Sequence, residues 1–381
     1  MKKKKIAYII NHLSFFISHI LPLAISAKKE GFDLCIFCGK GGSRMMEIEA
    51  KKIMQKNSIK YFQFNFQPGM GNLLSELNYL TQMSLKLKRF NPDVIHSISL
   101  KAILFGSIYS LINKPKKSIF YITGMGYFFT YKLNFYEKCI KFFLLKIIKQ
   151  GLSLKNSKLV LENQDDFKFF NKKLGIVKNK ILRINGTGVN LKKFNYLEKN
   201  KKNNVLFPAR VLIEKGILEF LISADYLSKK YTKWNFLIAG TLDYKKNEKN
   251  YKNINLSKFH NNKNIKFLGY KKNMHNLFNK SSIVCLPSYR EGFPKSLIEA
   301  SSSGCAIVTT DVPGCRDVVK KNINGFLCKS KNSNRLKKCL EKLISNKELR
   351  LKFSKNSRKI ALKNFDISKF INMNLKFYQN L

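Results

Sequence analysis

Carboxylates are scarce in this chain: its 381 residues hold 23 Asp and Glu against 72 Lys and Arg, a formal net charge of +49. Such a surface attracts phosphates on nucleic acid, anionic lipid or phosphorylated small molecules. The lysines are spread through every segment rather than gathered in one block, and Lys, Asn, Ile and Phe dominate, as an A/T-rich coding sequence also produces. A localised platform of aromatic and basic residues is missing, as is any recognisable nucleic-acid-binding module, so a nucleic-acid-binding protein is a rival reading motivated by charge alone. A disulfide framework is missing too. The eight cysteines, at 35, 38, 139, 285, 305, 315, 328 and 339, lack the close, even spacing of a small secreted domain. Most lie in apolar runs such as "SIVCLP" and "GFLCK", as buried, reduced thiols of a cytoplasmic protein would. Cys35 and Cys38 form a C-x-x-C in "LCIFCGK", but on a β-like run rather than at the opening of a helix, where a redox pair works. No clean membrane span is present: the best candidate, 6–27, is interrupted by Asn11, His12, His19 and Pro22.

That candidate belongs to the opening "MKKKKIAYIINHLSFFISHILPLAISAKKEG", which admits two readings. Four lysines, an uncharged apolar stretch and small residues are the layout of a secretory signal. Alternatively "KIAYII" is a first strand and "SHILPLAISAKKEG" a helix, with Ser18 as N-cap, Pro22 in the first turn and Gly31 as the stop. "FDLCIFC" would then be the second strand of a βαβ unit, which needs its first strand. The second reading is the one the rest of the chain supports.

At 381 residues the chain has room for about two domains. Strand and helix alternate through "IKYFQFNF", a helix near 72–90, "PDVIHSIS", a helix near 100–112, "KSIFYITG", a helix near 134–150, "SKLVLEN", a helix near 164–174 and "KILRING". The rhythm breaks over 185–204, rich in Gly, Asn and Lys, and restarts with "NVLFPAR" and "KGILEFLISADYLSKK". "WNFLIAG", "IKFLGY", "SSIVCLPS", "CAIVTTD" and "GFLC" follow as strands. The expected fold class is α/β: two Rossmann-like, doubly wound parallel-sheet domains in tandem, with a ligand-binding cleft at the C-terminal edges of the sheets.

Two stretches carry chemistry. In "LPSYREGFPKSLIEASSSG" a strand runs into a loop, Ser288 to Phe293, and then a helix with Pro294 at its first position. A loop of this kind offers free N–H groups and a positive dipole end to an anion. Glu291 and Glu299 beside an anion site make sense if the ligand is a sugar nucleotide, whose hydroxyls donate to carboxylates. In "FPARVLIEKGI", Arg210 ends a strand and Lys215 opens the next helix, a fork and a point charge for phosphate.

R-x4-K-G, then "FLGY", then E-G-F-P-x4-E-A, then "TTDVPGCRDVV" resembles glycosyltransferase family 4, of GT-B fold, over nearly the whole chain. "YITGMGYFFT", "LENQDDFKFF" and "LRINGTGVNLKKF" are similar to a subgroup that extends glycans on polyprenyl diphosphate, bacterial α-1,3-N-acetylgalactosaminyltransferases among them. The resemblance implies an N-terminal acceptor domain over 1–187, a donor domain over 188–364, and a closing segment, 365–381, that crosses back to the first domain. It implies a UDP-sugar donor, a polyprenyl-diphosphate-linked saccharide as acceptor, retention at the anomeric carbon, and neither metal nor cofactor. Arg210 and Lys215 fall at the family's diphosphate-binding positions and Glu299 at its ribose-binding glutamate. Glu291 falls beside the donor sugar, Gly292, Phe293 and Pro294 around the phosphate, and Leu268, Gly269 and Tyr270 near the base. The chain departs from many relatives in two places: "NHLSFF" replaces a Gly-Gly loop, and Thr123 stands where a histidine touches the donor sugar. His19 and His96 are the remaining candidates for that contact. A soluble acceptor is the rival within the class.

"NFYEKCIKFFLLKIIKQG" has an apolar face of Tyr136, Ile140, Phe143, Leu144, Ile147 and Ile148, with Lys138, Lys141, Lys146 and Lys149 opposite. That basic face could lie on anionic headgroups or hold the acceptor's diphosphate. The expected location is the cytoplasm, with peripheral contact to the inner face of the membrane.

Overall fold

Short β-branched runs pair into two parallel sheets in the computed structural model, which describes residues 3–41, 44–66, 72–241 and 257–379. Met1 and Lys2 of the opening lysine run, and Asn380 and Leu381 of the closing segment, lie outside the described residues. The first sheet contains β1 (Lys5–Ile10), β2 (Asp33–Cys38), β3 (Lys60–Gln63), β4 (Val94–Ile98), β5 (Lys117–Ile122), β6 (Ser157–Leu161) and β7 (Ile181–Arg183), in the order β3-β2-β1-β4-β5-β6-β7. The second contains β8 (Lys202–Phe207), β9 (Asn235–Ile238), β10 (Ile265–Phe267), β11 (Ser281–Leu286), β12 (Ala306–Thr310) and β13 (Gly325–Cys328), in the order β10-β9-β8-β11-β12-β13. The central strands are mostly apolar because helices cover both faces: β4, β5, β11 and β12 are buried at every residue, polar ones included. Each order reverses once, between β1 and β4 and between β8 and β11, and those reversals are the points where doubly wound folds bind ligands.

The chain divides into two compact units, Met1–Thr187 with Ser368–Leu381, and Gly188–Ile367. The last helix, Ile367–Gln379, belongs almost wholly to the first unit, where it buries Phe370, Asn374 and Tyr378. The Tyr378 hydroxyl lies 2.6 Å from His96 Nδ1 and 3.2 Å from the Tyr8 hydroxyl, so a polar knot sits inside the apolar cluster of β1 and β4.

Local signals account for several helix starts. Asn72, Asn134, Asn163, Asn332 and Asn346 each accept a backbone N–H at a helix start, and Asn134 forms a reciprocal box with Glu137. Two expected helices differ. The segment after β1 is two helices, Leu13–His19 and Leu21–Lys29, and the cap is the His12 ring, which accepts from Phe15 N–H, rather than Ser18. Pro22 has no N–H to donate and crowds the carbonyl four residues back, so the axis breaks ahead of it. The segment 164–174 is one α-helical turn, Gln164–Lys168, that widens into a π turn, Phe169–Lys173. Among the described residues no helix is long and apolar enough to cross a membrane.

Candidate functional site in the second unit

Three loops leave the C-terminal edge of the second sheet, after β8, β11 and β12, and are tied to one another by close contacts. Tyr289 N–H donates to Glu214 O at 2.9 Å, and Glu291 N–H to Pro313 O at 3.2 Å. The Thr310 hydroxyl donates to Ser288 O. Two glycines permit this closeness. Gly216 has φ +75°, and a Cβ there would meet Pro287 O at 2.1 Å; Gly314 has φ +80°, and a Cβ would meet Gly292 O at 2.5 Å. Any side chain at either position would push the loops apart.

The central contact is an ion pair. Lys215 Nζ lies 2.6 Å from Glu291 Oε1, with the lysine and carboxylate side chains 22% and 13% exposed. The Ser288 hydroxyl donates to the same carboxylate oxygen at 2.7 Å. Lys215 ends a 3-10 turn, Ile213–Lys215, and the α-helix starts only at Ile217, after Gly216. The lysine therefore stands on the strand-edge loop rather than in the helix, with two of its three donors left for an anion. Arg210 stands exposed at the end of the β8 segment and has no partner among the described residues. The helix Lys295–Ser302 has Pro294 as its N-cap residue, not its first helical residue, and no side chain caps it. Its positive dipole end faces the loop, with Leu297 N–H donated to Pro294 O at 2.9 Å.

Glu299 lies in that helix, half-buried, and its carboxylate accepts no hydrogen bond from the described residues. Burial pushes its carboxyl up to about 7, against the pull of Lys295 and Lys193. Gly269 turns with φ +65° after β10, beside half-exposed Leu268 and exposed Tyr270. Phe293 is placed differently from its expected part in a phosphate loop: its ring is buried against Phe365 at 5.7 Å, so only its backbone faces the loop. Sequence reasoning missed Ser288, which lies three residues before Glu291 and holds its carboxylate.

In the first unit the two candidate histidines, His19 and His96, and Thr123 stand in different settings. His96 is fully buried in mid-strand, its Nδ1 bonded to Tyr378, and burial pushes it down to about 3. A neutral, enclosed ring is a core residue and cannot present itself to a sugar. His19 closes the Leu13–His19 helix, stacked on Phe15 at 4.1 Å and bonded to Ser18 at 2.6 Å. Thr123 is half-buried just past β5. The loop that replaces Gly-Gly presents another histidine, which sequence reasoning passed over. His12 Nδ1 lies 2.7 Å from the Ser14 hydroxyl, and a Cβ at Gly41 would meet its ring at 2.9 Å.

Two family models match the chain: "Glycosyl transferase 4-like" over residues 5–160 and "Glycosyl transferases group 1" over residues 189–360. The chain is 28% identical over 337 residues to the N,N'-diacetylbacillosaminyl-diphospho-undecaprenol alpha-1,3-N-acetylgalactosaminyltransferase of Campylobacter jejuni, covering 85% of this chain and 86% of that one. It is 24% identical to the UDP-Gal:alpha-D-GlcNAc-diphosphoundecaprenol alpha-1,3-galactosyltransferase of Escherichia coli, covering 89% and 87%. Among solved structures, Anabaena HepE in complex with UDP superposes with a TM-score of 0.77 over 99% of this chain and all of that one, at 15% identity. The chain belongs to the group 1 glycosyltransferases, with a 4-like first domain and the GT-B fold.

Proposed function

We propose that this glycosyltransferase moves a hexose or N-acetylhexosamine from a UDP-sugar to a polyprenyl-diphosphate-linked saccharide, with retention at the anomeric carbon, in the assembly of a bacterial surface glycan. The observation that carries the donor half is the Lys215–Glu291 pair, held by Ser288 at the strand edge, with Arg210 exposed and without a partner among the described residues. The acceptor half is supported by the two relatives named for diphospho-undecaprenol-linked substrates, each matched over more than four-fifths of its length.

In this reading the leaving UDP gathers negative charge as the glycosidic bond stretches. Arg210, Lys215 and the dipole at the start of the Lys295–Ser302 helix hold that charge, so its neutralisation falls to protein groups rather than to a metal ion. Glu299 accepts from the ribose hydroxyls. Glu291, paired with Lys215, faces the sugar as a hydrogen-bond acceptor. Because Lys215 and Ser288 already engage it, it is assigned no covalent role, and the acceptor hydroxyl attacks the cationic sugar from the face that UDP leaves, passing its proton to the departing phosphate oxygen. Work on a lipid-linked acceptor would keep the enzyme in the cytoplasm, at the inner face of the membrane.

The test is to incubate the protein with a panel of UDP-sugars and polyprenyl-diphosphate saccharides, measure released UDP, and read the anomeric configuration of the product by NMR. UDP release that depends on the lipid-linked acceptor, with an α-linked product, supports the reading. Release with none of those acceptors, or inversion, overturns it.

A further inference from the structure

We infer that the aromatic end of the Phe135–Ser153 helix is a docking face that enters an anionic lipid surface. The helix is anchored by its second half, where Leu144, Leu145, Ile148 and Leu152 are buried. Its first half is not anchored in this way. Phe135 is 82% exposed, Tyr136 68%, Phe142 63% and Phe143 59%, and Tyr131 just ahead is exposed as well. Tyr136 and Phe143 were expected on the inward face from their spacing; the structure turns them outward, because the core against which the helix packs begins only at Leu144. Four exposed aromatic rings on one helix are more than scattered surface apolar residues, and patches of this kind mark a partner.

The charges around the rings identify that partner. Lys132, Lys138, Lys146 and Lys149 are exposed beside them. The only acid from 127 to 153 is Glu137, and it is engaged with Asn134 in the reciprocal cap. Lys141 sits 3.6 Å above the Phe129 ring and donates to Phe128 O at 3.0 Å, which fastens the short helix Tyr127–Thr130 to the long one. The face is therefore preformed. Rings at the headgroup level, with lysine stems reaching outward, are what an interfacial helix presents to anionic lipid. A second copy of this chain fits poorly, since a two-fold contact would set these lysines against themselves on proteins of charge +49.

Position agrees with the charge. The helix follows β5 and so begins at the C-terminal edge of the first sheet, as do the helices Arg44–Lys56 after β2 and Leu73–Phe90 after β3. The first two turns of those helices expose Met45, Ile48, Leu74 and Leu77. One edge of the first unit is thus bordered by apolar side chains. The inference rests on the proposed lipid-linked acceptor for its biological sense, but the docking itself is read without substrate.

The experiment sediments the full chain with vesicles of phosphatidylcholine alone and with about a third phosphatidylglycerol, for wild type and for the triple variant Phe135→Ser, Phe142→Ser, Phe143→Ser. Anionic vesicles should bind the wild type, less so with added salt, and the triple variant at least ~10-fold more weakly with unchanged thermal melting. In a separate variant, Phe142→Trp should shift its emission to the blue on adding anionic vesicles. Unchanged binding by the triple variant, an unmoved Trp signal, or a dimer that these substitutions dissociate would overturn the inference. Turnover on a short-chain, water-soluble prenyl-diphosphate saccharide should be equal in wild type and triple variant. Its absence in both would count against the proposed function while leaving the vesicle result standing.

Discussion

Replacing Lys215 by Met keeps most of the side-chain volume and removes one charge from the strand-edge site. In the resting protein Glu291 keeps the Ser288 hydroxyl but loses a contact of 2.6 Å. Two unit charges about 4 Å apart at an effective dielectric near 20 attract by ~4 kcal/mol, and solvent at these partly exposed groups offsets most of that. About 1–2 kcal/mol of stability should go, or roughly 2–8 °C in melting temperature for a unit of this size. Catalysis should suffer more. A preset donor aimed at developing charge is worth about 2.7–4 kcal/mol, a factor of ~10²–10³ in kcat. The assay is single-turnover UDP release at saturating donor, beside a melting curve of the same sample. The reasoning predicts a large loss of rate with a small loss of stability. A variant that melts lower as expected but keeps turnover within about threefold would refute the assignment of Lys215 to the leaving group, because only its structural role would remain.

Three further outcomes follow from other parts of the molecule. Arg210→Ala should lower turnover by more than ~10-fold while changing stability by less than about 0.5 kcal/mol, since the residue is exposed and has no partner among the described residues. Glu299 titrates near 7, so UDP-sugar affinity should rise close to 10-fold from about pH 6 to about pH 8 as its accepting form appears, and Glu299→Gln should flatten that rise. For stability the sign is opposite: a carboxyl with a raised pKa favours the fold below its ordinary value near 4.5 and loses that as pH passes 7, so Glu299→Gln should melt above wild type at alkaline pH. Tyr378→Phe leaves His96 Nδ1 and the Tyr8 hydroxyl without their shared partner and should cost about 1–3 kcal/mol in urea unfolding of the full chain, whereas an unchanged midpoint would mean the knot is neutral.

The strands were legible because parallel strands covered on both faces are rich in apolar, often β-branched residues, so "SSIVCLPS" and "CAIVTTD" could be placed without knowledge of their neighbours. Gly31 was legible as a stop because its φ of +85° suits glycine. The break before Leu21 was not, because Pro22 is tolerated early in a helix and its spacing alone does not say which helix it opens. The site was legible by type and less so by geometry. Lys215 and Glu291 stand 76 residues apart and meet only because β8 and β11 are neighbours, a pairing that spacing along the chain does not reveal. His96 carried the opposite lesson. A histidine in a strand looks like a candidate ligand until the last helix supplies Tyr378, from 282 residues away, as its partner.

The position of the donor's diphosphate tests the central claim most directly. In a crystal of this protein soaked with UDP, the account predicts phosphate oxygens about 2.7–3.2 Å from the Arg210 guanidinium and the Lys215 ammonium, with the ribose hydroxyls on Glu299. Diphosphate bound elsewhere, or touching neither cation, would contradict it.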